Sequence, residues 1–406
     1  MSGGATGGRP TRAKRPAGGT GHPPRPPAVP GVAARRVAAE ALARIAGGGA
    51  YANLVVPAML ERSELEPRDR AFVTDLVYGT TRMQRACDWL VDRYLPDPDR
   101  VDTGARAWLR LGAFQLAMLG TPPHAAVGTT VEAAPKRIKG LLNAVLRKVA
   151  SSLPVTWPDD SIRLSQPDWI VARLTRDLGA HDALDALAAM NLPAEVTVRA
   201  DGYVQDLASQ WVADAVGAGA GDRIADLCSA PGGKATALAQ AGAHVVAVDL
   251  RPSRAGLVAA NAQRLGLTST LEVVVADATR PPFPEGSFDK VLLDAPCSGL
   301  GALRRRPDAR WRIEESDVEA LAALQAQLVD AALALLRPGG ELTYSVCTLT
   351  RAESEGIDAH LAAAHDELVA LEPPGAPWRP LGRGAVLLPQ DAGTDGMYIL
   401  RLRRPR

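Results

Sequence analysis

Two cysteines close short apolar runs in this 406-residue chain, in Asp294-Ala-Pro-Cys297 and in Tyr344-Ser-Val-Cys347. The runs ahead of them, Val291-Leu292-Leu293 and Leu342-Thr343-Tyr344, read as buried strands of a parallel sheet. Such folds place ligands in the loops at the carboxyl ends of their strands. Two thiols delivered to that edge point to covalent chemistry on a bound substrate. The residues alone leave the two thiols interchangeable. Of the other two cysteines, Cys87 lies in a helical pattern and reads as a small buried hydrophobe, and Cys228 lends at most its backbone to a glycine loop. Without a CxxC pair, neither a disulfide framework nor a structural zinc site is expected, and no metal is called for. His124 and His244 have no partners at ligand spacing and read as structural.

A second set of residues lies upstream. Asp226-Leu-Cys-Ser-Ala-Pro-Gly-Gly-Lys234 follows an apolar run and opens a helix. Its members Cys228, Ser229, Ala230, Pro231, Gly232, Gly233 and Lys234 are expected to line a cofactor. Glycines let the backbone approach a ligand, and a helix start offers N–H groups to an anion. The loop is not G-x-G-x-x-G, so a dinucleotide pyrophosphate is not its obvious ligand. Asp249 ends the next strand, where a carboxylate can accept from ribose hydroxyls. Asp277 ends the third strand, a place to meet an adenine edge, and Asp294 ends the fourth. A glycine loop and three acids at four consecutive strand ends fit an adenosyl ligand without a long phosphate chain, S-adenosylmethionine.

These residues need a sheet to hold them. After Gly221, β-branched apolar runs at 223–227, 245–249, 272–277, 290–294 and 341–347 alternate with helices such as 255–265 and 318–336, the latter stopped by Arg337-Pro-Gly-Gly. That alternation predicts a doubly wound α/β domain with a parallel sheet. From about residue 32 to 150 the pattern is helical throughout. Leu141, Leu142, Val145, Leu146 and Val149 share one face, and 108–119 is apolar nearly all round, so an all-α domain is expected. Glycine and proline make up 15 of the first 31 residues, a composition that cannot build a core. The expected division is a disordered basic tail (1–31), a helical domain (32–155), linking helices at 168–178 and 182–190 with a strand at 196–199 (160–215), and the α/β domain (216–406).

The formal net charge is only +1, but it is unevenly spread. Residues 1–36 carry seven Lys or Arg and no acid, which reads as solvated charge. Arg304, Arg305, Arg306, Arg310 and Arg312 follow the first cysteine loop closely and are expected to hold a nucleic-acid backbone. No run approaches the roughly 18–20 apolar residues of a membrane span, and no signal-like stretch opens the chain. A cytoplasmic monomer is expected.

DLCSAPGGK, DAPCSGLGALRRRPDARW, YSVCTLTRAESEG and TDGMYILRL together resemble the RNA cytosine-5-methyltransferase family, in its Fmu/Sun (RsmB) ribosomal RNA branch. The resemblance covers about residues 160–403. The helical part, with LVYGTTRMQRACDWL and IKGLLNAVLRKV, is similar to the NusB-like RNA-binding domain of that branch. It implies a Rossmann-like methyltransferase domain using S-adenosylmethionine, with ribosomal RNA as partner. Cys347 would be the nucleophile towards carbon 6 of a cytidine, and Cys297 the thiol assisting proton removal and product release. Asp294, in its protonated form, would bind the pyrimidine at nitrogen 3, and Lys234 would reach Asp294 or the cofactor. One departure is Val346, where the family usually has Thr, which removes a hydroxyl beside the attacking thiol. The same chemistry on transfer RNA, and a non-catalytic RNA-binding assembly factor, remain open alternatives.

Overall fold

The computed structural model describes residues 1–4, 31–47 and 49–406. The expectation of a disordered basic tail falls almost wholly outside the described residues.

Seven helices form the first unit: α1 (Val32–Gly47), α2 (Ala52–Glu61), α3 (Pro67–Arg82), α4 (Gln84–Asp92), α5 (Thr103–Ala117), α6 (Pro123–Ala133) and α7 (Lys139–Ser151). The reading of 108–119 as a central, buried helix is borne out by α5, which is buried along most of its length and ends at Ala117. Asp102 starts it by accepting the Ala105 N–H at 3.0 Å. Close crossings depend on missing side chains. A Cβ at Gly79 would fall inside the Phe114 ring, and one at Gly112 on Leu146. Cys87 is fully buried in α4, as a small hydrophobe should be.

Four short helices lead onward: α8 (Asp160–Arg163), α9 (Asp168–Leu178), α10 (Ala180–Ala189) and α11 (Leu207–Ala215). The second unit then alternates β1 (Arg223–Leu227), α12 (Gly233–Gln240), β2 (His244–Asp249), α13 (Pro252–Arg264), β3 (Leu271–Val275), β4 (Phe288–Asp294), α14 (Glu315–Ala334), β5 (Leu336–Val346) and α15 (Glu355–Ala364). It closes with β6 (Val369–Ala370), β7 (Arg379–Leu381), β8 (Gly384–Leu387), α16 (Pro389–Ala392) and β9 (Met397–Arg403). The sheet runs β3-β2-β1-β4-β5-β9-β8-β7, with β6 also on β9. The first five strands are parallel, as the alternating pattern predicts. The expectation of an all-parallel sheet is corrected at the other edge, where β9, β8 and β7 pair antiparallel. Chain order reverses between β1 and β4, the switch point where doubly wound folds bind ligands.

Side chains of the strands alternate between the two faces. Ala225, Leu227, Val291, Leu293, Leu342 and Tyr344 join one core with α9, α10 and α14, while Ile224, Val245, Ala247 and Leu292 join another with α11, α12 and α13. Both faces are thus covered, which explains why these strands read as continuous apolar runs.

Two local expectations fail. Residues 196–199 make only a single bridge, Val198 with Val204, and both valines are exposed because no sheet edge lies beside them. The helix expected to end at Arg337-Pro-Gly-Gly stops at Ala334, and those residues already run along β5. The Ala334 and Leu335 carbonyls are taken by the Gly286 and Phe288 N–H groups, which caps the helix early. Among the described residues, no helix is long and apolar enough to cross a membrane.

Candidate active site

Asp294 ends β4 and Val346 ends β5, and these strands are neighbours in register. Their loops therefore leave the sheet side by side, and the Cys297 and Cys347 sulfurs lie 3.4 Å apart. The loops are stitched together by the Ala295 N–H to the Ser345 carbonyl (2.9 Å) and the Gly301 N–H to the Cys347 carbonyl (3.0 Å). The Gly396 N–H donates in turn to the Gly301 carbonyl at 2.9 Å, bringing in the segment before β9. A Cβ at Gly301 would sit on the Gly396 carbonyl oxygen, so this three-strand junction tolerates no side chain there. The DAPC, YSVC and TDG motifs, far apart in sequence, thus meet backbone to backbone. Val346 is fully buried in the apolar core.

The two thiols are chemically unequal. Cys347 has a pKa below the usual thiol value, chiefly through the hydrogen bond it shares with Cys297. The same sharing pushes Cys297 up, helped by burial and then by the charge of Cys347, Glu353 and Asp294. One proton between two sulfurs leaves Cys347 as the readier thiolate. Cys228 is pushed up to about 12 by burial and then by Asp226, Asp249 and Asp294, and so is no candidate nucleophile.

Beside the thiols, Lys234 from the first turn of α12 donates to Asp294 Oδ2 at 2.6 Å, and the Ser345 hydroxyl donates to Oδ1 at 2.9 Å. Lys234 is buried, and although burial disfavours its charge, Asp294 outweighs it and its pKa rises. Both Asp294 carboxyl oxygens are thus engaged, one by the Lys234 ammonium and one by the Ser345 hydroxyl. A second acid lies one strand away. Asp226, fully buried in β1, is raised to about 7 by burial and by the Asp294 charge.

The glycine loop sits between β1 and α12. Cys228 takes φ +63°, Gly232 φ +100°, and Ser229 N–H bonds the Val248 carbonyl at 2.9 Å, tying the loop to β2. The glycines serve packing as much as ligand approach. A Cβ at Gly232 would lie 3.2 Å from the Val258 backbone of α13, and one at Gly233 3.2 Å from Tyr203. Asp249, buried at the end of β2, faces the loop and accepts the Ala230 N–H at 3.3 Å and the Arg251 N–H at 3.1 Å. Asp277 lies two residues beyond β3, exposed and held below the usual carboxylate range by the Thr279 N–H and hydroxyl. Ser229 Oγ is buried, near enough to the Asp226 carboxyl to help hold down that acid's pKa but with no well-formed hydrogen bond among the described residues. An open helix start, carboxylates at two neighbouring strand ends and a spare buried hydroxyl suit a ligand bearing a carboxylate, an amine and ribose hydroxyls. The two cations beside them are already engaged, Lys234 with Asp294 and Arg254 with Asp249 and the Ala230 carbonyl. The donor set fits S-adenosylmethionine.

The basic run departs most from expectation. Arg310 is fully buried, donating to the Ser165 carbonyl (3.3 Å) and Asn191 Oδ1 (2.9 Å). Arg304 is buried on the carbonyls of Pro193, Gly393 and Thr394. Arg305 pairs with Asp206 and Asp395, and Arg312 donates to the Gly49 and Ala50 carbonyls. The expected role in holding a nucleic-acid backbone is corrected for these four, whose guanidiniums are turned onto carbonyls and carboxylates of the chain itself. Arg306 alone of the run is exposed, and its charge helps lower the Cys347 pKa. Sequence reasoning missed Glu353, Gln325, Gly301 and Gly396. Glu353, Gly301 and Gly396 lie in quoted motifs and Gln325 in α14, but only the three-dimensional meeting of the loops reveals their part.

A family model described as 16S rRNA methyltransferase RsmB/F matches residues 215–403, and one described as NusB family matches residues 32–151. The chain is 38% identical to Ribosomal RNA small subunit methyltransferase B of Thermus thermophilus, over 91% of this chain and 97% of that one. It is 35% identical to the protein of the same name from Pseudomonas putida, over 91% and 98%. Among solved structures, that of PH0851 superposes with a TM-score of 0.75 at 21% identity, covering 93% of this chain and 99% of that one, a likeness of fold.

Proposed function

The chain belongs to the 16S rRNA methyltransferase RsmB/F family, and on that premise we propose that it methylates carbon 5 of a cytidine in small-subunit ribosomal RNA through a covalent adduct to Cys347. The observation that carries this reading is the 3.4 Å thiol pair beside the Lys234–Asp294 pair. Carbon 5 of cytosine is a poor nucleophile. Addition of the Cys347 thiolate to carbon 6 breaks the ring's aromaticity and gives carbon 5 enamine character, dividing one hard step into easier ones. Negative charge then builds at nitrogen 3. Lys234 and Asp294 together form a hydrogen-bonding pair able to bind that edge, and the proton can be drawn from the buried ammonium.

S-adenosylmethionine supplies the electrophilic methyl group when bound. Cys228 to Lys234, with Asp249 and Asp277, would hold it. Once carbon 5 carries the methyl group, its proton must go before the Cys347–carbon 6 bond can break. Cys297, already in contact with Cys347, assists that removal and the release of Cys347. A paired cytidine has to leave its stack first, at a cost of roughly a few kcal/mol.

The roles separate in one experiment. Incubated with ribosomal RNA and S-adenosylmethionine, Cys297→Ala should accumulate an RNA–protein adduct that survives a denaturing gel. Cys347→Ala should form none. An adduct that depends on Cys297 instead reverses the two roles, and bisulfite sequencing of both RNA pools with and without the protein tests ribosomal against transfer RNA.

A further inference from the structure

Glu353 is fully buried in the segment after β5, and among the described residues no cation pairs with it. It is satisfied instead by four donors. The Ser298 N–H (2.8 Å) and the Gln325 amide (3.0 Å) reach Oε1, and the hydroxyls of Ser298 (2.5 Å) and Thr350 (2.8 Å) reach Oε2. Ser298 follows Cys297. Its Oγ, having given its proton to Glu353, accepts from the hydroxyl of Thr348, the residue after Cys347, at 2.7 Å. Gln325 of α14 also holds the Pro296 carbonyl, just before Cys297, at 2.8 Å. The residues flanking both thiols are thus locked to a single carboxylate.

A buried charge without a counter-ion is costly, and an apolar core of the same shape would be more stable. Its place here is explained by what it does to the sulfurs. We propose that Glu353 is a positioning residue: it clamps the Cys297 loop to the Cys347 loop and sets an uncompensated negative charge on the Cys297 side of the pair. Position and charge act together, one fixing the contact between the sulfurs and the other disfavouring a thiolate on Cys297. Consistent with this, Glu353 is among the causes that push Cys297 up, while it is not among the leading causes acting on Cys347. The inference rests on the reading of Cys347 as nucleophile.

Glu353→Gln keeps the shape but removes the charge and turns one acceptor into a donor. The test labels the full chain with iodoacetamide across pH 6–10 without RNA and maps each cysteine by mass spectrometry. Methyl transfer to ribosomal RNA is followed in parallel. In the wild type Cys347 should label ahead of Cys297. In Glu353→Gln, Cys297 labelling should rise roughly threefold at a given pH, the gain in thiolate being offset in part by its weaker nucleophilicity. The value of kcat should fall while KM for both substrates holds, and the pH profile of kcat should change shape. Ser298→Ala, which deletes only the hydroxyl link, should move the same readouts in the same direction by less, and it serves if Glu353→Gln fails to fold. Unchanged labelling ratio and pH profile with only a lowered Tm would overturn the proposal and leave Glu353 a structural acid. A wild type in which Cys297 labels first would instead defeat the nucleophile assignment.

Discussion

Cys347 is the readier thiolate because of a neighbour, since the Cys297 S–H is the largest influence lowering its pKa. Cys297→Ala removes that donor and leaves burial and the Asp294 charge, both of which raise the thiol. The Cys347 labelling curve should therefore move to higher pH in Cys297→Ala, and its rate at pH 7 should fall. The variant proposed to trap the adduct should thus also form it more slowly, which a time course of adduct formation at pH 7 and pH 9 would resolve. The deficit should narrow at the higher pH, where the thiol ionises without help. An equal deficit at both would mean that Cys297 does not tune its partner. Cys228, pushed up to about 12, is the internal control and should label well after Cys347.

The loops depend on elements that were legible to different degrees. β1, β2, β4 and β5 announce themselves because both faces of the sheet are covered, so nearly every residue of Val291-Leu292-Leu293 is apolar. The cofactor loop and the two cysteines follow from standing at those strand ends. The antiparallel edge was not legible, since Met397–Arg403 begins as an apolar run like the parallel strands and its antiparallel pairing with β5 is a tertiary choice. The 304–312 run misled for a simpler reason. A string of arginines looks the same whether its guanidiniums meet phosphates or carbonyl oxygens. Gly301 was hidden among other glycines, although its neighbours make it the least replaceable. Gly301→Ala forces the Cys347 and Gly396 loops apart and should cut methyl transfer by tenfold or more, about the 1.4 kcal/mol or more that a displaced loop costs. Gly256→Ala in α13, where a Cβ meets nothing within 4 Å, should leave activity intact and raise stability by about 0.5–1 kcal/mol. Equal behaviour of the two would show that the loop junction has slack.

The whole molecule depends on the same arginines that its surface was expected to use. Trp311 donates its indole N–H to the Thr81 carbonyl at 2.9 Å, Arg82 donates to the Arg304 carbonyl at 2.9 Å, and Arg310 lies between. The segment that follows Cys297 is therefore also the joint between the helical unit and the catalytic sheet. Burial lowers the pKa of Arg310 to about 9 and of Arg82 to about 10, and both are held in the joint by backbone carbonyls and the Asn191 amide oxygen. Arg310→Met should strand those acceptors at about 1–3 kcal/mol for each left unpaired. Calorimetry should show a lower Tm, with the single unfolding transition broadening or splitting as the two units uncouple. Arg306→Ala, one turn away but exposed, should leave Tm unchanged and reduce the salt slope of RNA binding by about 0.7–0.9, the loss of a single phosphate contact. If Arg306→Ala leaves the slope unchanged, the run touches no RNA backbone at all. Its work is then wholly internal, and the binding charge lies on another surface.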